Sequence, residues 1–434
     1  MIMDSFDINV RKLDFQGREV EIHFISSLCS DDLIAYLVEG ITMARGQTLK
    51  DCLNNGQVSE ETDQEKYEYA MLTGNALVKD PSENKVYVLD TRRYPSRAID
   101  EPDTEKTVRG SKDGFNENLL NCVGLIRRRI RTMNLVMNKQ TVGQKHKLDI
   151  CLCYLESQVD HSMLQEVLAR ISEIQNEDLV MSDRALEELI FDQSYNPFPL
   201  VRYSERPDIV ATHINHGYIA IICDTSSSVM MLPTTLFEIL EHVEEHRQTP
   251  IIGTFIRLIR FSAVFLSVYL VPIWMLTVDI GVHDMKNLFS ILLVELAVEL
   301  LRIATIHTPD SISNTMGMIA AILLGEFAIE LGLFSGEVLL FVAIGNVCGF
   351  ATPNYELSLT NKYVKIFMIL LTGLAGIVGF GIYQLILYGY LLSLKPFGFS
   401  YLYPLVPFDK KEFWDFIIRK PKKRSYKTSK RKQK

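Results

Sequence analysis

The chain lacks the short motifs by which common catalytic machinery is recognised: it has no GxxxxGK[ST] phosphate loop, no GxSxG nucleophile turn and no HExxH zinc helix. Chemistry carried by those motifs is excluded, so we expect neither enzymatic activity nor a cofactor. The nearest approach to a metal helix is His242-Val243-Glu244-Glu245-His246, which spaces two histidines four apart. Val243 stands where a zincin needs glutamate, and the segment reads as a solvated helix face with no metal. His213 and His216 bracket a turn and make no stronger case. Paired cysteines are also missing. The seven cysteines, at 29, 52, 122, 151, 153, 223 and 348, are odd in number and form no CxxC, which speaks against a disulfide framework and for reduced thiols in the cytosol. Cys151 and Cys153, at i and i+2 of a strand, read as buried apolar thiols. Finally, the opening MIMDSFDINVRKLDF has no apolar h-region, so no signal peptide is expected and the first half should be cytoplasmic.

Charge is absent from residues 261–278, FSAVFLSVYLVPIWMLTV, and the chain stays mostly apolar to Leu394. Eighteen such positions suffice for a membrane helix. The overall 23% of charged residues and mean hydropathy of +0.10 average a polar half with an apolar one. Charge is divided as well. Residues 401–434 hold twelve Lys or Arg against Asp409, Glu412 and Asp415, a net +9, which leaves −17 of the total −8 on residues 1–400. The final RKPKKRSYKTSKRKQK has ten basic side chains and no acid, so this tail is expected on the cytoplasmic side against anionic lipid, not on nucleic acid.

These patterns imply an α/β cytosolic head of two lobes followed by an α-helical multi-pass transmembrane domain. The first lobe, 1–90, has two strands within 8–26, helices at 31–45 and 61–73, and a strand at 85–90. A polar linker and helix occupy 91–145. In the second lobe, 146–248, LDICLCYLE (148–156) reads as a buried strand and 161–174 and 184–191 as amphipathic helices. The β-like runs IVATHI (209–214), YIAIICD (218–224) and VMMLP (229–233) follow.

In the transmembrane domain, 249–400, spans are expected at about 261–280, 315–333, 338–353 and 366–394. The twenty-nine uncharged positions of the last reach roughly 43 Å, so it must tilt, kink or protrude. Residues 288–303 place Glu295, Glu299 and Arg302 on one stripe, a poor lipid-facing surface, and read as a re-entrant, interfacial or packed helix. Four crossings return the basic tail, 401–434, to the side of the head. Gly373, Gly376 and Gly379 recur every third residue and leave a nearly bare face for helix packing.

Several stretches in order, EPDTEKTVRGSKDGF (101–115), LIRRRIR (125–131), NPFPLVRYSERPD (196–208), LPTT (232–235) and TPIIGTFIRLIRF (249–261), resemble the signature segments of A subunits of the GerA-type spore germination receptors. Within that family DTRRYP (90–95), LLRIATIHTPDSIS (300–313) and FATPNYEL (350–357) resemble a sporulation-stage paralogue. The resemblance implies a subunit of a ring-like oligomer in the inner membrane of the spore, with a small membrane partner and other receptor subunits, that promotes release of monovalent cations.

Carboxylates are costly in lipid, so Glu295, Glu299, Glu326 and Glu330 must each meet a cation, water or a partner such as Arg302. Repeated by symmetry they would favour cations in a pore; alternatively Glu299 and Arg302 are a structural pair, and Glu326 and Glu330 lie near the interface. Arg257 and Arg260, at the cytoplasmic end of the first span, read as lipid-phosphate anchors or as a coupling between head and spans. In NPFPLVRYSERPD, Arg202, Glu205, Arg206 and Asp208 are expected to form a charge lattice that joins lobes or subunits. A non-conducting membrane scaffold is the alternative function. A small-solute transporter is disfavoured by the absence of an inverted repeat and by too few spans.

Overall fold

The computed structural model describes residues 5–44, 48–53, 58–80, 86–93, 105, 107, 109–143, 147–174, 179, 181–191, 195–278, 285–306, 317 and 328–420. Two compact units emerge: Met1–Tyr195 with Leu200–Thr234, and Asn196–Pro199 with Thr235–Lys434.

The first unit starts with a hairpin of β1 (Ile8–Phe15) and β2 (Arg18–Ile25), in which Phe15 faces Arg18 across the two-residue turn Gln16-Gly17. Both turn residues have positive φ, 54° and 85°, the geometry whose twist matches the flanking strands and that glycine adopts freely. Then come α1 (Asp31–Met43), α2 (Leu49–Cys52), β3 (Val58–Glu61), α3 (Gln64–Leu72), β4 (Asn75–Lys79) and β5 (Val86–Asp90). The five strands form one antiparallel sheet in the order β1-β2-β4-β5-β3. Helix α1 seats Ile34, Leu37 and Ile41, one stripe at helical spacing, in the same apolar cluster as Val20, Ile22 and Val78 of the sheet.

A second sheet follows α4 (Leu119–Arg129). It comprises β6 (Leu135–Val142), β7 (Leu148–Leu155), β8 (Arg202–Ser204), β9 (Ile219–Cys223) and β10 (Val229–Leu232), with α5 (His161–Glu173), α6 (Ser182–Phe191) and α7 (Pro207–Ile214) between them. The order β6-β7-β9-β10-β8 is again antiparallel throughout. Flanked by β6 and β9, β7 is buried at nearly every position, which explains its unbroken apolar reading. Its Cys151 and Cys153 share a face, with Sγ atoms 3.7 Å apart, and burial pushes the Cys151 thiol up.

Sequence expectations need correction here. IVATHI is not a β-like run but the body of α7, which opens with Pro207 at its first position, where a missing N–H costs nothing. The expected linker and helix of 91–145 contains the strand β6, and β3 and β4 add two strands to the first lobe.

The two sheets are knitted within this unit by buried polar contacts. Fully buried Arg127 of α4 donates from Nε and Nη2 to the two carboxylate oxygens of Asp7, at 2.9 and 2.8 Å, and from Nη1 to the Leu135 carbonyl at 3.0 Å. The Phe6 amide donates to the Met137 carbonyl at 3.0 Å, so the segment before β1 lies along β6. Arg206, also fully buried, is held by Asp208 at 3.2 Å and donates to the Ser111 carbonyl at 2.8 Å, while Arg202 lies 3.5 Å from Glu105. The charge lattice thus fastens part of one signature stretch, 105–115, onto another.

The second unit is helical: α8 (Leu236–Ile239), α9 (Val243–Arg247), α10 (Pro250–Thr277), α11 (Met285–Ile306), α12 (Gly336–Gly349), α13 (Tyr355–Ser393) and α14 (Lys410–Ile417). Two of them, Pro250–Thr277 and Tyr355–Ser393, are long and apolar enough to cross a membrane. α12 runs antiparallel to α10, with Gly345 opposite Val271, Gly349 opposite Ser267, and Trp274 stacked on Phe341 at 4.7 Å. Most of the expected span 315–333 lies outside the described residues, as do 421–434 of the tail.

The longest helix does not run straight. Gly376 sits at φ 57°, ψ −139°, a conformation that glycine alone tolerates readily, and the chain doubles back there. Three contacts fix the return. Thr360 donates to the Pro197 carbonyl, Tyr390 donates to the neighbouring Asn196 side chain at 2.8 Å, and Gln384 Nε2 lies 3.5 Å from Met368 Sδ. In a straight helix residues 360 and 390 would lie about 45 Å apart. The expected single span 366–394 therefore covers the end of the first arm, the turn and the second arm of a hairpin whose first arm begins at Tyr355.

Candidate functional site

Charged side chains inside an apolar helical unit are its chemically distinctive feature, and they fall into three groups. The deepest joins α11, α12 and the first arm of α13. Glu295, Asn346 and Lys365 are 5%, 7% and 1% exposed. The Lys365 ammonium lies 2.8 Å from Glu295 Oε1 and donates to Asn346 Oδ1 at 3.3 Å, and Asn346 Nδ2 donates to Glu295 Oε2 at 3.1 Å. Toward the end of α11, Glu299 accepts from Arg302 at 2.5 and 3.0 Å and from Lys362, and the Arg302 guanidinium stands 5.4 Å from the Tyr355 ring.

The pairing follows from direction. α11 and the first arm are antiparallel, so carboxylates four apart on one meet ammonium groups three apart on the other. Leu288, one end of this register, meets Gly373, where an added Cβ would lie 2.5 Å from its Cδ1. Of the three glycines expected to form one packing face, Gly373 alone meets another helix. Gly376 makes the reversal, and Gly379 backs onto Leu371 and Ala375 of the opposing arm.

The third group forms a collar where α10 begins. Arg257, 1% exposed, donates to Glu245 at 2.7 Å and to the Phe416 carbonyl, lies 3.1 Å from Glu241, and stacks over the Phe416 ring at 5.5 Å. Arg260 binds the other oxygen of Glu245. Arg419 donates to the backbone carbonyls of His246 and Gln248. Burial pushes the Glu245 carboxyl up, against the pull of Arg260 and Arg257. HVEEH is solvated only in part: His246 is exposed, but His242 caps α9, its Nδ1 accepting from the Glu244 amide at 3.2 Å, and Glu245 is fully buried. No cluster of three or more metal-ligating side chains occurs among the described residues.

Glu330, in the helical turn Ala328–Glu330, is exposed, and Glu326 lies outside the described residues. Asn346 was not singled out by sequence, and neither Lys362 nor Lys365 was read as a partner of these carboxylates. Their three-residue spacing, matched to Glu295 and Glu299, was the usable signal.

Two antiparallel sheets with covering helices, joined to a helical unit with membrane-length apolar helices, define the class of protein. A family model described as Bacillus/Clostridium GerA spore germination protein matches residues 1–431, and the chain belongs to that family. It is 38% identical to stage V sporulation protein AF of Bacillus subtilis (strain 168), over 96% of this chain and 90% of the relative. To spore germination protein A1 of the same organism it is 30% identical, over 81% of this chain and 76% of that one. Among solved structures, the N-terminal domain of the A subunit of the Bacillus megaterium spore germinant receptor GerK3 aligns with a TM-score of 0.40 at 22% identity, covering 52% of this chain and 88% of that one.

Proposed function

We propose that this GerA-family protein is an integral membrane subunit of a spore germination complex, assembled as a homo-oligomeric ring that forms or gates a monovalent-cation pathway. The observation that carries the reading is the inverted character of the second unit. Its helices leave Phe255, Phe265, Leu374, Ile377, Leu385 and Ile386 exposed while enclosing Glu295 and Lys365. An apolar exterior around internal charge suits lipid outside and polar function within.

The hairpin adds one crossing to the four read in the sequence, and α11 counted as a full crossing brings the number to six. α10 goes out and α11 returns, ending near Tyr355. Leu333 lies beside Ser290 at the opposite end, and the span read in the sequence at 315–333, which falls mostly outside the described residues, is counted as the next crossing. α12 returns, and the two arms of α13 add one crossing each. Six is even, so the head and the basic tail share the cytoplasmic face of the spore inner membrane, with anionic lipid against the tail. Other germination subunits and a small membrane protein are the proposed partners.

Glu295 and Glu299 already have cations, so exposed Glu330, with Glu326, is the better source of a conducting ring. Reconstituted complex should pass potassium down its gradient, and Glu330→Ala or Glu326→Ala should reduce that flux. Absence of flux from the unmodified complex, with the other subunits still bound, would instead make the protein a non-conducting scaffold.

A further inference from the structure

Lys365 occupies its surroundings in the way a small cation would. Two oxygens of different residues, Glu295 Oε1 and Asn346 Oδ1, face its ammonium at 2.8 and 3.3 Å, and both residues are more than nine-tenths buried. A carboxylate with an amide oxygen is the hard donor set that alkali cations take. Lysine suits the place because its charge is a compact point on a flexible stem, unlike the broad fork of arginine.

The oxygens are not saturated. Glu295 Oε1 has the ion pair with Lys365 at 2.8 Å and, among the described residues, no hydrogen bond. Seven residues, about 10 Å, beyond Lys365 on the same face of that arm, the Thr372 hydroxyl is fully buried with no hydrogen-bond partner among the described residues. A plain structural ion pair is worth little over apolar packing.

We propose that Glu295 and Asn346 form an internal monovalent-cation site and that Lys365 is its tethered occupant. In the state described here the ammonium fills the site; a potassium or sodium ion takes its place when the first arm of α13 withdraws the lysine. The inference deepens the cation-pathway reading and rests on it, but its test needs no conduction.

Full-length Lys365→Met is purified in detergent and melted in potassium chloride and, at equal ionic strength, in N-methyl-D-glucamine chloride. With the tethered charge gone, potassium raised from about 1 to 300 mM should lift the melting midpoint by about 5 °C. The unmodified protein and the double variant Lys365→Met/Glu295→Gln should not respond. If Lys365→Met folds only in potassium, the proposal gains its strongest support. Equal melting of Lys365→Met in both salts, or failure to fold in either, overturns it. Neither result bears on flux through the unmodified complex, so the broader functional reading stands or falls by its own experiment.

Discussion

The two units solve opposite solvent problems with the same device. Of the large hydrophobic side chains left exposed among the described residues, eight belong to the first unit and forty-one to the second. Yet both enclose ion pairs: Arg127 with Asp7 in the first, Lys365 with Glu295 and Arg257 with Glu245 in the second. In the first unit the apolar core lies inside and the buried pair ties strands and helix that are distant in sequence. In the second, apolar side chains cover the outside as well, and the pairs lie beside a buried apolar cluster that includes Val271, Leu288, Ile291 and Ile369. Buried charge therefore joins segments distant in sequence in both units, beneath a polar exterior in one and an apolar exterior in the other.

Truncating one partner of a buried pair tests this most severely. Arg127→Ala leaves Asp7 buried without its cation and should cost about 3–5 kcal/mol, seen as early loss of the first unit's β signal in thermal circular dichroism. Arg257→Ala should cost less, because Arg260 still holds Glu245. A milder effect for Arg127→Ala than for Arg257→Ala would break the comparison. Overpacking comes next. Gly373→Leu drives a side chain into Leu288 and should cost about 1–3 kcal/mol, whereas Gly381→Leu, with nothing within 4 Å of an added Cβ, should leave the melting midpoint of the solubilised protein unchanged.

Acidity should act on the first unit more gently. Burial holds the His23 imidazole below its ordinary pKa of 6.5 despite the pull of Glu21. The fold thus prefers neutral His23, and its contribution is fully present above pH 6.5 and lost as pH falls from there through the folded value. Urea unfolding of the first unit should shift to lower denaturant between pH 7.5 and pH 5.5, and His23→Gln should shrink that shift. At the bottom of the scale, Lys12→Ala breaks an exposed pair with Glu19 and should produce no measurable change in midpoint.

Much of the first unit was legible because strand and helix periods write themselves locally: β7, α5 and the β1–β2 hairpin are all plain in the sequence. IVATHI was not, since a six-residue run with four apolar positions fits either period and only Pro207 hinted at a helix start. β6 was hidden by its polar half, NKQT, which alternates toward solvent. In the second unit hydropathy located apolar helices but is blind to chain direction, so the reversal at Gly376 looked like one overlong span. The ligation of Glu295 by a lysine 70 positions away was equally invisible, because it depends on the antiparallel register of α11 and the first arm. The stripe Glu295-Glu299-Arg302 did show that this helix could not simply face lipid.

The reversal at Gly376 divides α13 into two arms and underlies the even number of crossings proposed above. Spin labels at Leu359 and Leu392, both partly exposed on opposite arms, allow the distance between them to be measured by double electron–electron resonance in lipid vesicles. A separation of about 20 Å is expected for the hairpin, against about 50 Å for a continuous helix of that length. The longer distance would contradict the account at its centre.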